Sequence, residues 1–275
     1  MISTPLRRLG ATILMFLTIV FSGEALAQTH SKTVSQKAQI SKTTGKNQAI
    51  SKQEYSRNSV NSSSLPDLRK YPSGAPRKKA FLRTVMPYIT SQNAAITADR
   101  NWLMERQYSQ QWSTADRTRL KGIAKRYKIS WSGNTRRIPW NALMERVDII
   151  PDSMVATMAA AESGWGTSKL ARNNNNLFGM KCGKGRCTNG PGKVKGYSHF
   201  ESVKESVDAY VVNLNTHAAY ASFRKSRAQL RKADQEVTAS NMIHKLKGYS
   251  TKGASYNNYL FAMYQDNQQL IASHM

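Results

Sequence analysis

The chain has 275 residues and a formal net charge of +25, with 41 lysines and arginines against 16 acids. That length suffices for one domain of ordinary size with additional segments. The charge favours an anionic partner, whether nucleic acid, an acidic membrane face or bacterial wall polymer. The five scattered histidines make no ligand pattern, so neither a metal nor an organic cofactor is implied.

Residues 1–27 read as a secretory signal peptide. Met1 to Arg8 carries two arginines, Leu9 to Ser22 is almost wholly apolar, and Ala25-Leu26-Ala27 supplies a small-x-small cleavage site. The apolar run falls short of the ~18 residues usually needed to span a bilayer as a helix. Cleavage after Ala27 and no stable membrane insertion are therefore expected, with an uncleaved anchor as the alternative. An exported protein of the periplasm, the cell envelope or the medium rarely meets a chromosome, which argues against nucleic acid as partner.

Residues 28–78 read as a basic, low-complexity linker. Up to Ser64 it consists mostly of Ser, Thr, Lys, Gln and Asn, with recurring Ser-Lys pairs and Glu54 as its one acid. Too little apolar surface is present to offset the entropy of ordering. Pro66, Pro72 and Pro76 end it.

Residues 79–275 carry helical periodicity and read as a single domain, expected to be monomeric. Phe81, Val85, Met86 and Ile89 share one helix face, as do Leu120, Ile123, Ala124 and Tyr127. "NALMERVDII" is a short helix stopped by Pro151, and Asp152 or Ser153 then caps "MVATMAAAE". Gly164 and Gly166 end that helix just after Glu162. The glycine-rich stretch from Gly183 to Tyr197 reads as an irregular β-hairpin. Helices resume at "SVKESVDAYVVNLNTHAAY" and "NNYLFAMYQDNQQLI". The expected class is α+β, mostly helical, with one small β-hairpin lobe. Cys182 and Cys187 lie close together, and in an oxidising compartment they suggest a disulfide closing a small loop; free thiols packed in a turn are the alternative.

Glu162 is the candidate for chemistry. From Ser163 to Phe200 there is no other acid, while seven lysines and arginines occur. Val155, Met158 and Ala159 share its helix face, so its carboxylate is expected to be drawn inward and to lose hydration, which raises its pKa. The helix C-terminus disfavours negative charge and acts the same way. A glutamic acid protonated near neutral pH can donate to a leaving oxygen. An exposed helix-end carboxylate without function is the plainer reading. Trp165 would add an apolar wall or stack on a sugar ring, and the amides of "NNNN" suit either turns or sugar hydroxyls. Leu177 and Phe178 would anchor the turn in the core.

Taken together, "AAAESGWGTSKLA" and "NNLFGMK" resemble the hallmark of the glucosaminidase-domain family of peptidoglycan hydrolases, which are similar to glycoside hydrolase family 73. "RVDIIPDSMV", "FESVKESVDAYVVNLNTHAAYASFR" and "GYSTKGASYNNYLFAMYQDN" resemble one branch of it, so the likeness runs from about Lys79 to the C-terminus. The resemblance implies a lysozyme-like fold and endo-β-N-acetylglucosaminidase action on the GlcNAc-β-1,4-MurNAc bond of peptidoglycan glycan strands. Glu162 falls on the family's catalytic acid, and Asn175, Asn176 and Phe178 on its groove-lining motif. Tyr256, with Tyr249 as the second choice, falls near a tyrosine implied at the cleaved bond.

The chain departs from the family in one respect. Glycoside hydrolysis usually takes a second carboxylate about 5–10 Å from the acid, and the segment Cys182 to His199 contains none. Glu201 is the first acid after it. The substrate's own N-acetyl group is the other candidate nucleophile. A lytic transglycosylase, which also works with a lone glutamate, and a wall-binding module with little or no turnover are the competing functions.

Overall fold

A computed structural model describes residues 64–183, 190–247, 249 and 253–275. Among these the order of helices is α1 (Ala75–Gln107), α2 (Thr114–Arg126), α3 (Trp140–Arg146), α4 (Asp152–Ser163), α5 (Lys169–Asn174), α6 (Val203–Thr216), α7 (Ala221–Lys232), α8 (Ala239–Met242) and α9 (Ala254–Ala272). Single 3-10 turns precede α1, join α6 to α7 and follow α8. No described helix is long and apolar enough to cross a membrane.

The fold is organised around α4. Met154, Val155, Ala156, Thr157, Met158, Ala159 and Ala160 are all buried, so the helix is shielded on every side. That is the pattern of a helix enclosed by others rather than one lying on a surface. Helices α1 and α9 both pack along it, and α6 packs on α1. The folded part begins earlier than composition suggests, because Leu65 and Leu68 belong to the core. They close over the start of α1, whose Pro76 sits in the first turn, where a missing N–H costs no helical bond.

Two expectations are corrected here. No β-strand is formed among the described residues, and the stretch read as a β-hairpin lobe makes only one isolated antiparallel bridge, between Lys181 and Tyr197. The segment lacks the alternating apolar residues that would give a strand a face to bury. Its backbone is instead held by asparagine side chains. Asn173 donates to Gly192 O, and Asn174 donates to Val194 O and Ser198 O while accepting from Val194 N. The second correction is at the start of α4, where Pro151 occupies the N-cap and makes no side-chain cap. Asp152 lies in the first turn, and its carboxylate accepts from Thr90 Oγ1 and Asn93 Nδ2 of α1. Its negative charge suits the helix N-terminus without capping it.

The chain enters α4 through a knot of buried charge. Asp148 is 1% exposed and meets three guanidinium groups. Arg231 reaches both of its oxygens at 3.0 and 3.2 Å, while Arg100 and Arg227 each stand at 3.6 Å. The same arginines satisfy backbone carbonyls left over where α3 ends. Arg227 donates to Glu145 O and Ile149 O, and Arg100 to Met144 O and Val147 O. Burial lowers the Arg227 pKa to about 10, and the Asp148 charge opposes that shift. Removing the one acid leaves buried positive charge uncompensated. Asp148→Ala is expected to cost about 3–5 kcal/mol of unfolding free energy, read from urea denaturation followed by circular dichroism.

Candidate active site

Glu162 stands one residue before the end of α4, and the turn that follows aims it. Gly164, Trp165 and Gly166 all have positive φ, at 57°, 55° and 78°, so the chain reverses sharply on leaving the helix. Ser163 Oγ staples the reversal by donating to Ala159 O and accepting from Gly166 N. Gly166 is needed for closeness as well as for conformation, since a Cβ there would stand 2.5 Å from Leu68 Cδ1. A tryptophan in the left-handed region carries a backbone cost of about 1–2 kcal/mol. Its ring offsets this by packing edge-on against Phe81, with centroids 5.6 Å apart, beneath the Lys78 ammonium.

The carboxylate opens into a groove of about 820 Å³. One side is the turn Phe178–Lys181, and another is the C-terminal half of α6 with His217 and Tyr220 beyond it. Tyr249 and Tyr256 complete an aromatic wall, with ring centroids 5.6 Å apart, and Tyr220 adjoins Tyr249 at 6.1 Å. The Tyr256 hydroxyl, from the first turn of α9, donates to Glu162 Oε1. Gly179, at φ 63°, brings bare backbone toward the other oxygen; a Cβ there would lie 3.6 Å from Oε2. Behind this layer Tyr210 stacks on Phe178 at 3.8 Å and donates to Met158 Sδ, tying α6 to the turn of α4 that precedes Glu162.

Electrostatics follow from this packing. Desolvation raises the Glu162 pKa above the ordinary carboxylate value, and the hydrogen bond from Tyr256 partly opposes the shift. Burial pushes the Tyr256 phenol up, and its bond to Glu162 adds to that, so it remains a protonated donor. Tyr249 and Tyr220 are raised as well, first by burial and then by the nearby Glu162 charge. Glu162 is the only acid among the described residues that line the groove.

Several candidates from the sequence stand elsewhere. Trp165 is not part of the groove wall; it faces a separate small cavity beside Tyr259 and Asn267. The amides of Asn175 and Asn176 are committed to the backbone. Asn175 accepts from Leu65 N and donates to Phe200 O, while Asn176 wraps the turn by bonding both Met180 N and Met180 O. Both are buried, and neither lines the groove. Glu201 does not line the groove; its side chain is 89% exposed and lies 3.7 Å from His199. Phe178, Tyr249 and Tyr256 are in the groove wall. Cys182 precedes Gly183 at the groove's edge, and Cys187 lies outside the described residues.

Sequence reasoning missed Lys128, Tyr210, Asn213, His217 and Tyr220, which also line the groove. Tyr210 and Asn213 are three apart on one face of α6, with His217 just past its end, and that spacing was a usable signal. Lys128 follows α2 and has no local signature linking it to Glu162.

The family model described as "Mannosyl-glycoprotein endo-beta-N-acetylglucosaminidase" matches residues 139–269, a span that includes α4, the groove turn, α6 and most of α9. Among curated proteins, the chain is 80% identical to "Protein bax" of Escherichia coli (strain K12) over 275 residues, covering 100% of both chains. No solved structure matches.

The raised Glu162 pKa has a definite sign for stability. The folded state disfavours the carboxylate, so its contribution is intact below the ordinary glutamate pKa of about 4.3 and is lost as pH rises through the folded value. Glu162→Gln is therefore expected to be more stable than the parent at pH 7 and equal to it at pH 3.5, as read by thermal melts at both pH values. Tyr256→Phe removes the donor that favours the carboxylate. It is expected to move the Glu162 titration, followed by carboxyl-carbon NMR, to higher pH.

Proposed function

The chain belongs to the glucosaminidase-domain family, in its Bax-type branch, and on that premise we propose that it hydrolyses the glycan strands of peptidoglycan. Membership supports glycoside hydrolase chemistry. The finer reading is cleavage of the GlcNAc-β-1,4-MurNAc bond with Glu162 as general acid. One observation carries it: a lone, half-buried carboxyl of raised pKa, hydrogen-bonded by Tyr256, in an aromatic groove.

In this reading Glu162 donates its proton to the glycosidic oxygen, and the leaving sugar departs with a free hydroxyl at position 4. Positive charge develops at the anomeric carbon of the N-acetylglucosamine. No second acid lines the groove among the described residues, so the carbonyl oxygen of the substrate's own acetamido group attacks that carbon and closes a five-membered ring. The Glu162 carboxylate then takes a proton from water, which opens the ring and restores the acid. Two displacements at one carbon retain its configuration. Tyr256 holds Glu162 Oε1 throughout, and Phe178, Tyr220 and Tyr249 supply apolar surface for the sugar faces. The N-terminal leader pattern and the disulfide read for Cys182 and Cys187 suit an exported enzyme of the periplasm or cell envelope.

A lytic transglycosylase is the second reading, favoured by the same lone acid. There the MurNAc-β-1,4-GlcNAc bond is the one broken, Glu162 protonates the departing N-acetylglucosamine O4, and the muramic acid's own 6-hydroxyl replaces water at its anomeric carbon.

One digest separates these readings. Purified peptidoglycan is incubated with the full chain or with Glu162→Gln, and soluble fragments are analysed by mass spectrometry. Reducing N-acetylglucosamine ends, reduced at least about 100-fold in the variant, are expected. Anhydro-muramic ends would establish the transglycosylase, and no fragments from either protein would leave a binding module. Early product is expected to be the β-anomer by NMR, and inverted product would exclude the acetamido mechanism. Activity should fall as pH rises through the Glu162 pKa, because only the protonated carboxyl donates.

A further inference from the structure

The Glu162 groove is lined by two lysines that the hydrolytic mechanism does not use. Lys128 and Lys181 come from separate parts of the chain, the first just beyond α2 and the second at the end of the Phe178 turn. Neither makes an ion pair with a described acid. The acids that do pair meet other cations: Asp67 meets Arg69, Asp99 meets Arg119 and Arg126, Asp116 meets Arg106, Glu145 meets Arg224, Asp148 meets Arg100, Arg227 and Arg231, Asp208 meets Lys204, and Glu201 lies by His199. The groove thus combines one acid of suppressed charge with two exposed ammonium groups and His217.

The backbones that carry these lysines are fixed. Lys128 has φ 52°, a conformation that glycine adopts at lower cost. Arg146 Nη1 holds its carbonyl at 2.7 Å and that of Tyr127 at 3.0 Å. Lys181 is pinned by its bridge to Tyr197, and Met180 beside it is held by Asn176 and by Ser198 N. Two long cationic side chains on rigid bases at the rim of a groove are suited to clasp an anion without any change in the fold.

We propose that Lys128 and Lys181 form a carboxylate-binding rim, which makes this groove select glycan strands bearing carboxylates over neutral chains of N-acetylglucosamine. The inference rests on the glycosidase reading above and deepens it by assigning the side chains that recognise the substrate's carboxylate. Such a carboxylate has two sources. A bare muramic acid carries one on its lactyl group, and a strand with peptide stems carries them on the stem.

The test uses the full chain carrying Glu162→Gln, so that binding is read without turnover, with and without Lys128→Gln and Lys181→Gln together. Isothermal titration measures affinity for neutral chitohexaose, for stem-free glycan with free lactyl groups, and for stem-bearing glycan. With both lysines present, anionic glycan should bind more tightly than chitohexaose, and added salt should narrow the gap. The double substitution should cost about tenfold on anionic glycan, the size that two rim ion pairs supply together, and should leave chitohexaose unaffected. Loss on stem-free glycan alone assigns the lactyl carboxylate, loss on stem-bearing glycan alone assigns the stem, and loss on both shows that the rim accepts either. Equal losses on neutral and anionic ligands, or no loss on either, would overturn the proposal while leaving the glycosidase reading intact. Failure of every glycan to bind with both lysines in place would overturn both together.

Discussion

Glu162 stands at the end of a helix that is enclosed on every side from Met154 to Ala160, and the rest of the site follows from that position. The helices that bury Val155, Met158 and Ala159 also shield the carboxyl from much of its water, which raises its pKa. The exit from the helix has to be abrupt for the carboxyl to face open space. Three consecutive residues of positive φ achieve this, and the Leu68 and Phe81 side chains close tightly on Gly166 behind them. The core and the reactive group are thus parts of one packing arrangement, which is why a helix rich in alanine can carry an acid at its tip.

The opposite wall is built by an economical use of polar side chains. Four successive asparagines spend their amides on backbone: Asn173 and Asn174 hold the glycine-rich segment, Asn175 bonds Leu65 N and Phe200 O, and Asn176 wraps the turn around Phe178. A segment with no apolar face to bury gains its hydrogen bonds from these amides rather than from a sheet partner. Phe178 and Gly179 are thereby fixed beside the carboxyl, one stacked on Tyr210 and the other leaving room at Oε2. The asparagines shape the site through the backbone that they hold.

Charge is distributed with a division of roles. Arginines are drawn inward where carbonyls and Asp148 need several donors at fixed angles, as with Arg100, Arg227 and Arg231. Lysines stay at the rim of the groove, where a flexible stem and a single hydrated charge can follow a mobile anion. The same positive excess that favours an anionic partner in bulk therefore serves the fold at one place and the groove at another.

The helices, the inward face of Glu162 and the reversal after it were legible in the sequence, because periodicity, helix ends and glycine turns depend on residues a few positions apart. The family likeness was legible for the same reason, since its motifs are short and contiguous. Tertiary structure decided what lies across space. Tyr256, 94 residues from Glu162, meets its carboxyl, while Tyr249 stacks behind it. Trp165 turns away to Phe81 although it is only three positions from the acid, because its left-handed backbone directs the ring to the other side. The β-hairpin read from glycines and turns did not form among the described residues, since turn chemistry alone gives a strand nothing to pack against. Glu201 stayed outside and Lys128 came in, and no local pattern could have said so. Side chains that meet through packing take their partners from the whole fold, whereas helices and turns take theirs from their neighbours.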